Sequence, residues 1–262
     1  MSEEKLRLGG MALRNGLALF GPTSWAAAVR TADGGIRVAS GARPRIRAAD
    51  GVPLARGVVR MSEMFMALPV IRRSLPEARL SFEHGSVAAS AVVCTALAAV
   101  VRRRGGFRGE LAAAVIGIVP SLITLRSQDL VRYHGAEHKT VAGYERGVEA
   151  STTAKEHERC GSHLVAPLLL GVAGAAGLAA RAPRKWRRPV GAVGSLASIG
   201  FAFELFAWRE RHPGSVGARA LAGPGTALQR ALATAEPGEA ELEVAERALA
   251  ALLAAESAGA AA

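Results

Sequence analysis

The chain alternates long apolar stretches with short polar ones. Four stretches are apolar all round: residues 86–101 (SVAASAVVCTALAAVV), 111–125 (LAAAVIGIVPSLITL), 164–180 (LVAPLLLGVAGAAGLAA) and 189–208 (PVGAVGSLASIGFAFELFAW). A helix on the surface of a globular protein keeps a polar face; these have none. A membrane-spanning helix needs about 20 residues, within a range of about 17–25. The last two stretches meet that length, and the first two span with snorkelling arginines or local bilayer thinning. The alternative is a soluble bundle of four buried helices. The lack of polar faces and the arrangement as two close pairs favour the membrane. Gly171, Gly174 and Gly177, then Gly191, Gly194 and Ser198, recur at helical spacing. In lipid such small residues let backbones approach closely.

The remaining pattern is mixed. SWAAAVRTADGGIRVAS, residues 24–40, predicts a β-hairpin around an Asp-Gly-Gly turn. Residues 54–75, rich in Met and flanked by arginine, predict an amphipathic helix that either lies on the membrane surface or packs on the hairpin. Pro237 opens a final helix with Glu239, Glu241 and Glu243 in its early turns, where acids suit the helix dipole. Leu242, Ala245, Leu249 and Leu252 form its apolar stripe, so it docks on the rest of the protein. The expected fold is therefore mostly α, a multi-pass membrane protein with about four transmembrane helices. Three regions follow: a hairpin and amphipathic-helix region, 1–85; a four-helix membrane domain, 86–208, carrying a polar segment at 126–163; and a helical tail, 209–262.

Composition changes this picture little. Of 262 residues half are hydrophobic but only 5% aromatic, and the net charge is +11. Of the 33 basic residues only four are lysine. The arginines flank the apolar runs: Arg102, Arg103 and Arg104 follow one, and Arg181, Arg184, Lys185, Arg187 and Arg188 follow another. Such placement faces anionic lipid headgroups. No basic stripe interleaved with aromatics and no nucleic-acid motif is present, so nucleic acid is not an expected partner. Cys94 lies in an apolar run and Cys160 beside histidines, which is not a disulfide framework. The opening MSEEKLRLGG has no apolar core and is not a cleavable signal peptide.

The candidate chemistry lies in YHGAEHKTVAGYE, residues 133–145. With four spans, this segment and both termini fall on one membrane face, and the 102–110 and 181–188 loops on the other. Four of the six histidines lie within residues 134–163, where uniform scatter would put fewer than one. On a helix turning by about 100° per residue, His134 and His138 sit about 40° apart, Glu137 about 60° to the other side of His134, and Glu145 returns to the same face. HGAEH is an H-x-x-E-H arrangement, the inverted zincin spacing. Two imidazoles one turn apart can chelate one divalent ion, zinc being expected, and the adjacent carboxylate can take a proton from water. Gly135 weakens this helix by about 1 kcal/mol relative to alanine.

A catalytic zinc needs a third protein ligand. Cys160, His157 and Glu204 are the candidates, Glu204 being an intramembrane acid and so a functional candidate by default. Cys160 and His163 also have chelating spacing. The competing reading is a polar, hydrogen-bonded cluster tying the loop to the helix ends. His163 fits an interface position. His84 and His212 carry no pattern. Lys139 could hold an anionic group or snorkel at the surface.

These blocks resemble a known family. YHGAEHKTVAGYE, HERCGS and PGTALQRALATAEPGEAELEVAERAL, with the opening GGMALRNGL…SWAAAVRTADGGI and PLARGVV, are similar to the YqhQ-like bacterial membrane proteins. These carry the domain of unknown function DUF1385 and are labelled predicted metal-dependent enzymes. The resemblance covers about residues 9–252. It implies a multi-pass membrane protein with a metal motif near one face. The matching positions are His134, Glu137, His138, Glu145, His157, Arg159, Cys160 and Glu204. His163 falls where the family has an apolar or aromatic residue. The chain also departs from the family at Met11 (glutamine there), at Asn15 (glutamate there) and within 233–235, which reads Ala233, Thr234, Ala235 where the family has Thr-Thr-Arg.

The leading expectation is an integral-membrane, metal-dependent enzyme of hydrolytic type. His134 and His138 would ligate the ion, with Cys160 or Glu204 completing the set. Glu137 would act as general base, and His157 or Arg159 would steady a developing anion. The rival is a non-enzymatic scaffold or membrane-protein biogenesis accessory that binds membrane-protein partners; a transporter would need more charge within the helices than Glu204. For orientation, Arg-rich short loops favour the opposite loops inside. The 13 Lys and Arg of the first 85 residues, with Cys160 as a reduced ligand, favour the motif inside. The expected placement is a bacterial cell membrane with the motif face cytoplasmic.

Overall fold

A computed structural model describes residues 5–46, 51–83, 85–103 and 106–260. His84 and Arg104, noted above, lie outside the described residues, as do residues 1–4 of the opening segment.

The N-terminal region is larger than a hairpin. Four antiparallel strands run β1 (Gly9–Leu13), β2 (Gly16–Phe20), β3 (Ser24–Arg30) and β4 (Ile36–Ala42), each pairing with the next in order. The β3–β4 pair is the expected hairpin, with Gly34 supplying the positive φ its turn needs. The β1–β2 pair is an addition. Leu13 faces Gly16 across a two-residue Arg14–Asn15 turn. Asn15 brackets that turn: its Nδ2 donates to the carbonyls of Arg30 and Glu77, and its Oδ1 accepts from Arg79 N–H. Asn15 thus does structural work at a family-divergent position.

The sheet is covered on both faces. Ala18, Phe20, Trp25, Ala27 and Val29 meet Ala67, Leu68 and Ile71 of helix α1 (Ala55–Ser74). Leu17, Leu19, Ala26 and Ala28 meet helix α4 (Gln128–Arg146) through Tyr133, Ala136 and Val141, and helix α8 (Glu239–Ala260) through Val244, Ala245, Ala248 and Leu252. Of the two placements expected for the amphipathic segment, packing on the sheet is the one seen. A buried ion pair helps hold it there: Glu63 of α1 is fully buried, pairs with Arg43 at 3.3 Å and accepts from Ile46 N–H at 2.6 Å. Removing one partner of such a pair costs about 3–5 kcal/mol, because a charge stays buried and unpaired.

The final helix begins at Glu239, just after Pro237, and docks as expected. Glu256 near its end accepts from the N–H groups of Thr23 and Ser24 and from the Thr23 hydroxyl, tying α8 to the β2–β3 turn.

The four apolar stretches form helices α2 (Gly85–Arg103), α3 (Gly106–Thr124), α5 (Val165–Arg181) and α6 (Arg187–Arg211). All four, α5 together with the helical turn Gly161–Leu164 that precedes it, are long and apolar enough to cross a membrane. They pack as two helical hairpins, α2 with α3 and α5 with α6, joined by contacts between α3 and α5. Close approach of α5 and α6 depends on small residues. A Cβ at Gly194 would press on Ala175, and one at Gly171 would press on Ser198. Helix α7 (Val216–Leu228) and a π-turn at Gln229–Ala233 then lead the chain back to α4 and α8.

Candidate metal centre

Helix α4 carries the polar motif, yet it is the helix most enclosed by protein. Ser127 caps its start by accepting from Leu130 N–H, and Gly147, at φ 70°, ends it in the left-handed conformation that glycine tolerates. Between them residues from Leu130 to Gly143 are mostly buried, including Glu137, His138, Lys139 and Thr140. Two glycines allow the close packing. A Cβ at Gly10 of β1 would collide with the Glu137 carboxylate. A Cβ at Gly135 would collide with the carbonyl of Ala235, whose own N–H donates to Val131 O at 2.9 Å. Gly135 costs helix propensity and gains contact with the 229–236 segment.

His134, His138 and Cys160 come together: one ligand atom from each lies within 4.8 Å of the others. His134 Nδ1 lies 2.8 Å from the Ala233 carbonyl and His138 Nδ1 lies 2.7 Å from the Lys155 carbonyl. A carbonyl only accepts, so each Nδ1 carries the proton and each Nε2 keeps its lone pair. This is the outer-shell arrangement that orients histidine as a metal ligand. His134 Nε2 lies 3.4 Å from Cys160 Sγ. Burial pushes the His138 imidazole below its usual range, which favours the neutral form a ligand needs. Two imidazoles and a thiol within one small volume fit the donor preferences of zinc.

Glu137 stands beside this group, its carboxylate 3.9 Å from His134 Nε2. Burial raises its pKa, offset in part by His134, His157 and Arg159. Behind it lies a second cluster. The Arg159 guanidinium holds both oxygens of Glu145 and also donates to the Leu8 carbonyl at 3.2 Å. His157 takes the opposite tautomer from the other two. Its Nδ1 accepts from Arg159 N–H, and its Nε2 faces Glu145 at 3.7 Å. His157 is therefore a neighbour of the trio, its ring centroid 5.5 Å from that of His138, and not a member of it. Burial alone would raise the Glu145 carboxyl, but the hydrogen bonds from His157 and Arg159 outweigh it and bring the pKa down to about 2.

Glu204 lies elsewhere. It accepts from Arg56 Nε at 2.9 Å and from Leu54 N–H at 3.1 Å, locking the start of α1 to α6. Cys160, not Glu204, joins the two histidines. His163 packs on α7 and meets Gln229 Nε2 at 3.1 Å, an interface position as its departure from the family suggested. Lys139 is buried and pairs with Glu236.

Several contributors carry no sequence signal. Gln229, fully buried, accepts from His157 N–H at 2.8 Å and donates to its carbonyl at 3.2 Å, fixing the His157 loop. Lys155 Nζ donates to the Thr234 carbonyl at 3.0 Å. The Ala233 and Lys155 carbonyls that orient the histidines act through backbone, so side-chain identity at those positions does not reveal them. Conversely, the departures at Ala233 and Ala235 leave these contacts in place, because each is made by backbone atoms.

A family model matches residues 112–255, described as a protein of unknown function, DUF1385. The chain belongs to the DUF1385 family. The match takes in α4, Cys160 and the 229–236 segment, so every group of the histidine–cysteine centre lies inside it. No curated protein and no solved structure matches the chain.

Proposed function

We propose that this protein is a metal-dependent membrane enzyme that uses water as nucleophile, with zinc held by His134 Nε2, His138 Nε2 and Cys160 Sγ. The observation that carries the proposal is the convergence of those three donors beside a buried carboxylate, with both Nδ1 atoms already committed to carbonyls. A divalent ion there would supply Lewis acidity and lower the pKa of water. Glu137 takes the proton from water and returns it to the leaving group; its raised pKa suits both directions. His157, whose Nε2–H faces Glu145, and Arg159, committed to Glu145 and Leu8, are positioning residues. The protein sits in a bacterial membrane rich in anionic headgroups, with the centre on the cytoplasmic face. A reporter fused after α8 reads that orientation: cytoplasmic reporter activity is expected, and activity only outside would reverse it.

One observation favours the scaffold reading. Two open clefts lie away from the trio, one beside Arg56 and Glu204 and the other beside Arg14 and Arg126. Two measurements decide. Elemental analysis of purified protein should find about one metal equivalent in wild type and background in His134→Ala/His138→Ala; background in both would end the proposal. Glu137→Gln should keep metal and fold but fail to complement a deletion strain. Full complementation, with partners retained in pull-down, would favour the scaffold.

A further inference from the structure

The larger open cleft, about 310 Å³, lies where the spans meet the extramembrane layers. Its wall is drawn from the β1–β2 turn (Arg14), the start of α2 (Val87), the end of α3 (Ile123), the link that follows (Arg126) and the first turn of α4 (Leu130). Every one of these elements ends or begins at the same membrane face as the histidine trio.

Its chemistry is twofold. Arg14 and Arg126 have no carboxylate partner among the described residues, whereas Arg7, Arg30, Arg37, Arg43, Arg56 and Arg159 each have one. Both residues line the one cleft, so two cations without a carboxylate partner stand at the same opening, a setting that favours an anion. Ser127 adds a donor: its oxygen accepts from Leu130 N–H, so its hydroxyl proton is left to point at a ligand. The start of α4 adds the positive end of a 19-residue helix. Asp129 stands in that first turn but does not line the cleft. Val87, Ile123 and Leu130 add apolar lining to the same cleft, Val87 and Ile123 from the spans α2 and α3.

We infer that this cleft binds a phosphate monoester, with Arg14 and Arg126 as the paired cations and the apolar lining accommodating whatever chain the phosphate carries. A monoester brings about −1.5 to −2 charge and three acceptor oxygens, matching two guanidiniums that each donate in a fork. The placement at the membrane boundary suits a phosphate headgroup whose acyl chains lie along the exposed outer faces of α2 and α3. The centre at His134 plays no part in this inference, so the metal measurement and the binding measurement fail independently.

The experiment uses the full chain in detergent and titrates three probes separately: dihexanoyl phosphatidic acid, dihexanoyl phosphatidylcholine and inorganic phosphate. Phosphatidic acid should bind, with phosphatidylcholine at least about tenfold weaker, since each charge-assisted hydrogen bond to a dianion is worth about that factor. Arg14→Gln and Arg126→Gln should each weaken phosphatidic acid about tenfold, and added salt should weaken it further. Arg108→Gln, an exposed arginine at the start of α3 on the far face, should change it less than about twofold. If inorganic phosphate binds as tightly as phosphatidic acid and is lost in both variants, the site stands and its ligand is free phosphate. Should Arg14→Gln fail to fold, exposed Arg126→Gln still carries the test. Equal binding of phosphatidylcholine, no binding of any probe, or Arg126→Gln binding like wild type would overturn the inference.

Discussion

Helices α2 and α4 are each 19 residues long, and they invert the usual rule. The apolar α2 buries only Val87, Cys94 and Ala98 against protein. The polar α4 buries twelve residues, among them a glutamate, a histidine and a lysine. Apolar residues turned outward make sense when the surroundings are hydrocarbon, because lipid replaces protein as the apolar medium. Polar residues turned inward make sense only when each finds a partner, since an unpaired buried polar group costs about 1–3 kcal/mol. In α4 most do: His138 and half-buried His134 meet carbonyls, Lys139 meets Glu236, and half-buried Glu145 meets Arg159, while the Thr140 hydroxyl is buried with no partner among the described residues. The same chain is folded by two solvents, and exposure therefore means opposite things in its two halves.

Three changes probe this difference. The largest effect is expected from Leu252→Ala, which empties a fully buried position between α8 and the sheet and should cost about 2–5 kcal/mol. Val92→Ala, at a position 71% exposed on α2, should cost well under 1 kcal/mol by the same melting measurement in detergent. Equal losses would erase the distinction between the halves. Next comes Val92→Arg. If α2 faces lipid, a central arginine opposes insertion by about 2.5–3.5 kcal/mol, read as a smaller membrane-integrated fraction. An arginine on a water-facing helix would leave that fraction unchanged, and the inversion would be lost.

A fourth change concerns pH and the polar half. Glu145 has its pKa lowered from 4.5 to about 2 in the folded protein, so its stabilisation is present above about pH 4.5 and is lost as pH falls toward 2. Glu145→Gln lacks that contribution. It should melt lower than wild type at pH 7, by about 1–3 kcal/mol, and the gap should close on acidification toward pH 2. A gap independent of pH would mean that Arg159 and His157 do not hold the carboxylate.

Much of the architecture was legible because hydropathy is a local property. The four apolar stretches, the Asp-Gly-Gly hairpin and the docking stripe of α8 each announce themselves within about 20 residues. The β1–β2 pair did not, although Asn15-Gly16 lies at its turn. All five residues of β2 are buried, because α1 covers one face of the sheet and α4 and α8 the other. A strand enclosed on both sides loses the alternation that would reveal it. Likewise Glu204 reads as an intramembrane acid of functional weight, yet Arg56, nearly 150 positions earlier, claims it.

By itself, then, the sequence determined the membrane helices, their pairing and the histidine spacing along α4, since each depends on neighbours within a few turns. Only the tertiary structure decided that Cys160 joins His134 and His138, that His157 turns toward Glu145, and that the carbonyls of Ala233 and Lys155 set both ligand tautomers. Those contacts span 12 to 99 positions and two are made by backbone oxygen, which every residue carries alike. No local pattern encodes them; packing of the 229–236 segment and the 150–160 loop against one buried face of α4 does.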